Sequence, residues 1–277
     1  MSSSLAGRVA AGGGAAARHR RVFVPVLAAL VALAWLVLWV WTRSPYGRYL
    51  QHDGDWLAAG PVAALCRAVP GGTFLLPLGL TAAAWVLMTA AMMLPTTLPL
   101  FDAFDRLATG RRDHARLLVL LGLGYLSAWG GFGLLAHGLH SLLLALVQAM
   151  PVLGGRSWLI GAATLALAGA FQFSSLKHRC LDRCRTPLSF VMQHWRGRRQ
   201  ALQAFALGAR HGLFCVGCCW ALMLLMFVVG AGSLGWMLVL AALMAVEKNF
   251  SWGQRISAPL GLALLAGSAA LVLARLG

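Results

Sequence analysis

"QAFALGARHGLFCVGCCWALMLLMFVVG", residues 203–230, holds one permanent charge, Arg210, close to its start. An apolar run of about 20 residues wound as a helix crosses the roughly 30 Å hydrocarbon layer of a bilayer. This run therefore reads as a membrane helix.

The rest of the chain repeats that theme. The 277 residues are 60% hydrophobic and 11% charged, whereas soluble domains carry about a quarter charged residues. Apolar runs at 22–42, 73–95, 117–136, 157–173, 203–230, 234–247 and 257–275 predict an all-α, polytopic transmembrane helical bundle of about seven spans. Residues 1–21 read as a disordered basic N-terminus, and 22–277 as a single transmembrane domain. The stretch 137–151 reads as an amphipathic or re-entrant continuation of the third span, and 174–200 as a cytoplasmic loop carrying Cys180 and Cys184. The short sixth run is expected to form a tight hairpin with the fifth through "GAGSLG".

A net charge of +16 invites a nucleic-acid reading. The basic residues, however, sit in short segments between spans, where topology accounts for them. With the N-terminus inside, seventeen Lys and Arg fall on cytoplasmic segments against five outside. That bias predicts an N-in, C-out protein of a bacterial inner membrane, with the lipid bilayer as partner and no nucleic acid. No nucleophile elbow and no paired buried carboxylates are present, so nothing marks an enzyme.

The fifth run is unusual for its soft side chains. A helix turns about 100° per residue, so with His211 at zero, Cys218 falls near −20°, Cys215 near +40°, Met226 near +60° and Cys219 near +80°. Imidazole, thiol and thioether share one face about 100° wide and suit Cu(I), or less well zinc, while the lack of carboxylate disfavours calcium. An intramembrane histidine is costly without a purpose or partner. Against this stands the plain use of Cys and Met as helix-packing residues.

Two further constellations support the metal reading, and a third is a structural ion pair. In the second span Met88 and Met92 lie one turn apart on the side of Trp85 and Pro95, with Met93 turned away. Pro95 ends or kinks that helix and frees the carbonyl of Ala91. In "KHRCLDRCR", Cys180 and Cys184 at i, i+4 face the same way if helical, and flanking Lys and Arg favour thiolates. Glu247 and Lys248 close the sixth run, with Glu247 expected in an ion pair with a neighbour of Lys248 or with Arg210.

"AMMLP" (91–95), "KHRCLDRCRTP" (177–187), "HGLFCVGCCWALM" (211–223) and "WM…EK" (236–237 and 247–248) together resemble a bacterial family of predicted metal-binding integral membrane proteins, some of them labelled copper chaperone. The likeness covers about residues 75–250. It implies His211, Cys215, Cys218 and Cys219 as candidate ligands, with Cys180 and Cys184 second. Relatives often carry Met-Asn in the turn before "WM", where this chain has Gly232 and Ser233. The expected role is copper handling, with a metal-donor or metal-acceptor protein as partner. Two other readings stand beside it: a thiol oxidoreductase using Cys215 and Cys218 with Cys66, and a non-catalytic assembly subunit.

Overall fold

The computed structural model describes residues 25–43, 72–108, 111, 113–149, 158–196, 199–229 and 234–276. The expectations for residues 1–21, for Cys66 and for the Gly232–Ser233 turn lie outside them. Every regular element among the described residues is helical: α1 (Pro25–Arg43), α2 (Gly72–Met93), α3 (Leu98–Ala108), α4 (His114–Ala149), α5 (Trp158–Phe171), α6 (Ser175–Arg185), α7 (Pro187–His194), α8 (Gln200–Val229), α9 (Leu234–Asn249) and α10 (Ser257–Leu276), with 3-10 turns at Pro95–Thr97 and Gly253–Ile256.

Four helical segments are long and apolar enough to cross a membrane: Pro25–Arg43, His114–Leu143, Gln200–Met226 and Gly253–Leu276. Two bent pairs, with breaks of 50° after Met93 and 63° after Phe171, bring that number to as many as six if each pair is one span. The sixth run expected from the sequence, α9, has 16 residues and does not reach a full crossing by itself.

Two segments depart from the sequence reading. Residues 137–149 do not break away from the third span; they continue α4 as one 36-residue helix. The stretch expected as a loop at 174–200 forms α6 and α7, and α6 packs along α8 with Lys177, Cys180 and Leu181 buried. Ser174 caps α6 by accepting a hydrogen bond from the Leu176 amide, satisfying one of the donors that a helix start leaves free. The i, i+4 cysteines therefore look into the bundle.

The centre of the bundle is the α4–α8 pair, which glycines bring together. A Cβ on Gly208 would stand 1.9 Å from the Leu121 carbonyl oxygen, and one on Gly124 2.0 Å from that of Phe205. Small residues let membrane helices approach backbone to backbone. The contacts ascend together, residues 121–125 against 208 and 125–128 against 212, so the two helices run parallel and Tyr125 arrives beside Cys215.

Helix α2 lies on α4 through Trp85, whose indole donates to the Trp129 carbonyl at 3.0 Å. Pro95 ends α2 as expected from its missing amide. The freed Ala91 carbonyl accepts the Trp35 indole N–H of α1 at 3.1 Å, so the backbone group released by the proline ties in the first helix.

Candidate metal centre

Cys215 lies midway along α8, 1% exposed, with Cys218 and Cys219 equally buried. The Cys218 and Cys219 thiols both donate to the Cys215 carbonyl, at 3.1 and 2.9 Å. That carbonyl is one a straight helix already engages; thiol back-bonding gives the buried S–H groups a partner. Consecutive Cys218 and Cys219 thus both stay on the inner side of α8.

Four other helices add to this face. From α4, the Tyr125 hydroxyl lies 3.0 Å from Cys215 Sγ. From α2, Met93 Sδ lies 4.0 Å from Cys219 Sγ. From α6, Cys184 lies partly buried against this core, beside Cys215 and Cys218. From α9, Lys248 Nζ sits 3.0 Å from Cys215 Sγ, 3.5 Å from Met93 Sδ and 3.7 Å from Cys219 Sγ. A cation thus stands among three sulfurs in the core.

Lys248 is held there by its neighbour. Glu247 forms a buried ion pair with Lys177 of α6 at 2.6 Å and accepts from Ser257 Oγ at 2.7 Å. Gln172 also takes a hydrogen bond from Lys177. Arg185 donates to the backbone carbonyls of Glu247 and Ser251 at 2.7 and 3.0 Å. The end of α9 is therefore pinned to α6 and to the start of α10. Arg210, offered from the sequence as a partner of Glu247, is exposed on the other side of α8.

The expected ligands divide into two sets. Cys184, Cys215, Cys218 and Cys219 come together. Cys180 faces α8 too, but packs on Gly217, where a Cβ would meet its sulfur at 2.6 Å, so the expected Cys180–Cys184 pair is split between packing and the cluster. His211 is one turn from Cys215, against the rings of Tyr125 and Phe190 at 6.3 and 5.4 Å. Its Nδ1 is buried without a hydrogen-bond partner. Met226 lies seven residues beyond Cys219, about 10 Å along the axis, and is buried with Met88 and Met92 in the same core.

Met93 rather than Met88 or Met92 carries the thioether of the cluster. The helical wheel that turned Met93 away treats α2 as straight and its neighbours as fixed; α9 approaches from the side that the wheel left empty. Tyr125 and Lys248 are the other members that the soft-ligand pattern did not include. Among the described residues no three His, Cys, Asp or Glu side chains are already gathered around one metal-sized position. The geometry gives the reason: the thiols of Cys218 and Cys219 point at a carbonyl, and an ammonium lies among the sulfurs of Cys215, Met93 and Cys219.

Donor chemistry nonetheless matches a soft ion. Thiols, a thioether and an imidazole with an unpartnered Nδ1 are the groups that favour Cu(I), and among the described residues no carboxylate hydrogen-bonds to the three sulfurs. The fold and cluster together define a class: an apolar helical bundle that encloses sulfur donors and a positive charge at its core. The chain belongs to the PpoB2 family, described as copper chaperone, whose model it matches over residues 82–271. That stretch contains every sulfur and nitrogen of the cluster. No curated protein and no solved structure matches the chain.

Proposed function

We propose that this protein is a bacterial inner-membrane copper handler that takes Cu(I) into the core of its bundle and passes it to an acceptor protein. The convergence of Met93, Cys184, Cys215, Cys218 and Cys219 from three helices carries this reading. The family supplies copper; zinc has no comparable support. Cu(I) is the cargo, and the sulfurs are its holders, with His211 one turn away as a further donor.

Soft, numerous and individually weak ligands allow an ion to move by exchanging one donor for the next. Met244 and Met237 on α9 and Met223 and Met226 on α8 are all at most 1% exposed. They continue from the cluster toward the end of the bundle where α8 and α9 meet, and give thioethers for such a passage. Cys180 packs on Gly217 of α8 and is not a ligand in this scheme. The N-in, C-out orientation would make the passage lead outward.

Copper content and X-ray absorption of detergent-purified protein test the reading. Wild type should hold Cu(I) in a sulfur-rich environment, and Cys215→Ser/Cys218→Ser should lose it while eluting as the same monodisperse species. Equal copper in both would remove the proposal.

A further inference from the structure

The chain has 23 basic residues, yet only two are lysines, Lys177 and Lys248. Both are buried, at 0% and 6% exposure. Lys177 has the partner expected of a buried ammonium, the carboxylate of Glu247 at 2.6 Å. Among the described residues the hydrogen-bond partners of the Lys248 ammonium are sulfurs: Cys215, Met93 and Cys219. Buried charges are ordinarily paired with an opposite charge and fully hydrogen-bonded; sulfur is a weak acceptor. This lysine therefore occupies a cation position while being held less firmly than its neighbour.

We propose that the Lys248 ammonium is a tethered stand-in for the cargo, which Cu(I) displaces on entry and which hastens release by returning. The inference rests on the copper reading above. Ammonium and Cu(I) each carry one positive charge, so exchanging them leaves the charge of the sulfur cluster unchanged. A divalent ion would add a charge in a medium of low dielectric. The exchange breaks the N–H···S contacts and makes Cu–S bonds to Cys215, which accepts from the ammonium and binds as the thiolate, and to the neutral Met93 thioether. The Cys218 and Cys219 thiols keep their protons on the Cys215 carbonyl; the nitrogen keeps its protons, copper stays monovalent, and no electrons move.

The local structure permits this with little motion. Lys248 is the penultimate residue of α9, so its flexible four-carbon stem can carry the ammonium to the helix end, where carbonyls lack intrahelical donors and the helix dipole favours a cation. The backbone need not follow, because Lys177, Ser257 and Arg185 pin α9 at Glu247. A lysine suits such a role better than arginine, whose rigid guanidinium is built for planar carboxylates and phosphates. Tethering supplies the competitor at an effective concentration of roughly millimolar order.

The test uses the full chain in detergent, with Cu(I) competed by bicinchoninic acid, for wild type, Lys248→Leu and Cys215→Ser. Leucine removes the ammonium without adding a donor. If the ammonium fills the site for about nine-tenths of the time, its removal tightens apparent Cu(I) affinity about tenfold, and release slows. A second arm needs no substitution. Reductive methylation of wild type with formaldehyde, read by mass spectrometry, should modify Lys248 only after Cu(I) loading, while Lys177 stays protected in both states.

Release from Lys248→Leu as fast as from wild type overturns the proposal, as does Lys248 labelling that does not change with Cu(I). Should Lys248→Leu fail to fold, the labelling arm alone decides. Undiminished copper in Cys215→Ser would mark the failure of the copper site itself. Copper lost from Cys215→Ser, with either Lys248 result negative, would mark the failure of the exchange alone.

Discussion

Two glycine-packed helix pairs, α4–α8 and α5–α10, show what the bundle does with close contact. In both, a glycine meets the facing backbone: Gly208 against Leu121, and Gly169 against Gly261, where an added Cβ would lie 2.9 Å from the carbonyl oxygen. The apolar window of α8 is 56% buried and that of α10 17%. The inner pair uses its proximity to place Tyr125 on Cys215. The outer pair leaves most of α10 to face whatever surrounds the bundle. Its buried polar link is one hydroxyl, Ser268 donating to the Ala162 carbonyl at 2.7 Å. Similar packing thus serves a loaded core in one case and an apolar wall in the other.

The largest test of that contrast is Lys177→Met, which leaves Glu247 buried with Ser257 as its remaining side-chain partner. Breaking one side of a buried ion pair costs about 3–5 kcal/mol, read as a lower unfolding midpoint in detergent. Lys177→Met/Glu247→Met should recover most of that loss, because two apolar side chains of similar volume replace the pair. Failure to recover would mean that the pair does more than hold α6, α9 and α10 together.

Glycine substitutions come next. Gly208→Ala forces the α4 and α8 backbones apart, and the expected loss is about 3 kcal/mol, the upper part of the overpacking range. Gly169→Ala meets the Gly261 carbonyl and the Leu265 side chain, both at 2.9 Å against 1.9 Å for the carbonyl facing Gly208, so about 1 kcal/mol is expected. Equal costs in the melting midpoint would erase the distinction between the pairs. Only Gly208→Ala should also weaken copper binding, since Tyr125 and Cys215 sit on the separated helices.

Ligand substitutions sharpen the contrast within the core. Cys215→Ser should weaken Cu(I) binding by more than about 100-fold, beyond the 10–100-fold that loss of an outer partner produces. Tyr125→Phe removes such an outer partner and should cost about tenfold. Cys180→Ser, beside Gly217, should leave affinity within about twofold, well under 1 kcal/mol. A Cys180→Ser loss as large as that of Cys215→Ser would move the copper position toward α6.

The sequence made the helical architecture legible because apolar run length is a local property, and the proline after Met93 ended α2 where its chemistry requires. The cysteine stripe of α8 was legible for the same reason: one helix sets the angular spacing of its own residues. What one helix cannot set is the side from which another arrives. The wheel of α2 alone therefore favours Met88 and Met92 over Met93, and the basic residues that flank the α6 cysteines read as a loop. In fact Lys177 is drawn inward by Glu247, seventy residues away, and takes α6 with it. The composition did hold one unused signal: in a chain whose surface cations are arginines, the two lysines at 177 and 248 mark the positions where a compact charge is buried.

The smallest expected effect belongs to the outer pair. Ser268→Ala removes the hydroxyl that reaches the Ala162 carbonyl across α5 and α10. That carbonyl is already positioned within a helix, so losing the second donor leaves no fully orphaned group. Interhelical hydrogen bonds in membrane bundles average about 0.6 kcal/mol, and the stability loss should be of that size. Cu(I) affinity should not change, because no residue of the α5–α10 seam touches a sulfur of the cluster in the described contacts. A Ser268→Ala protein that melts normally but binds copper more weakly would show that the outer wall communicates with the core, and the division between the two helix pairs would then have to be redrawn around α10, whose first residue, Ser257, already touches Glu247.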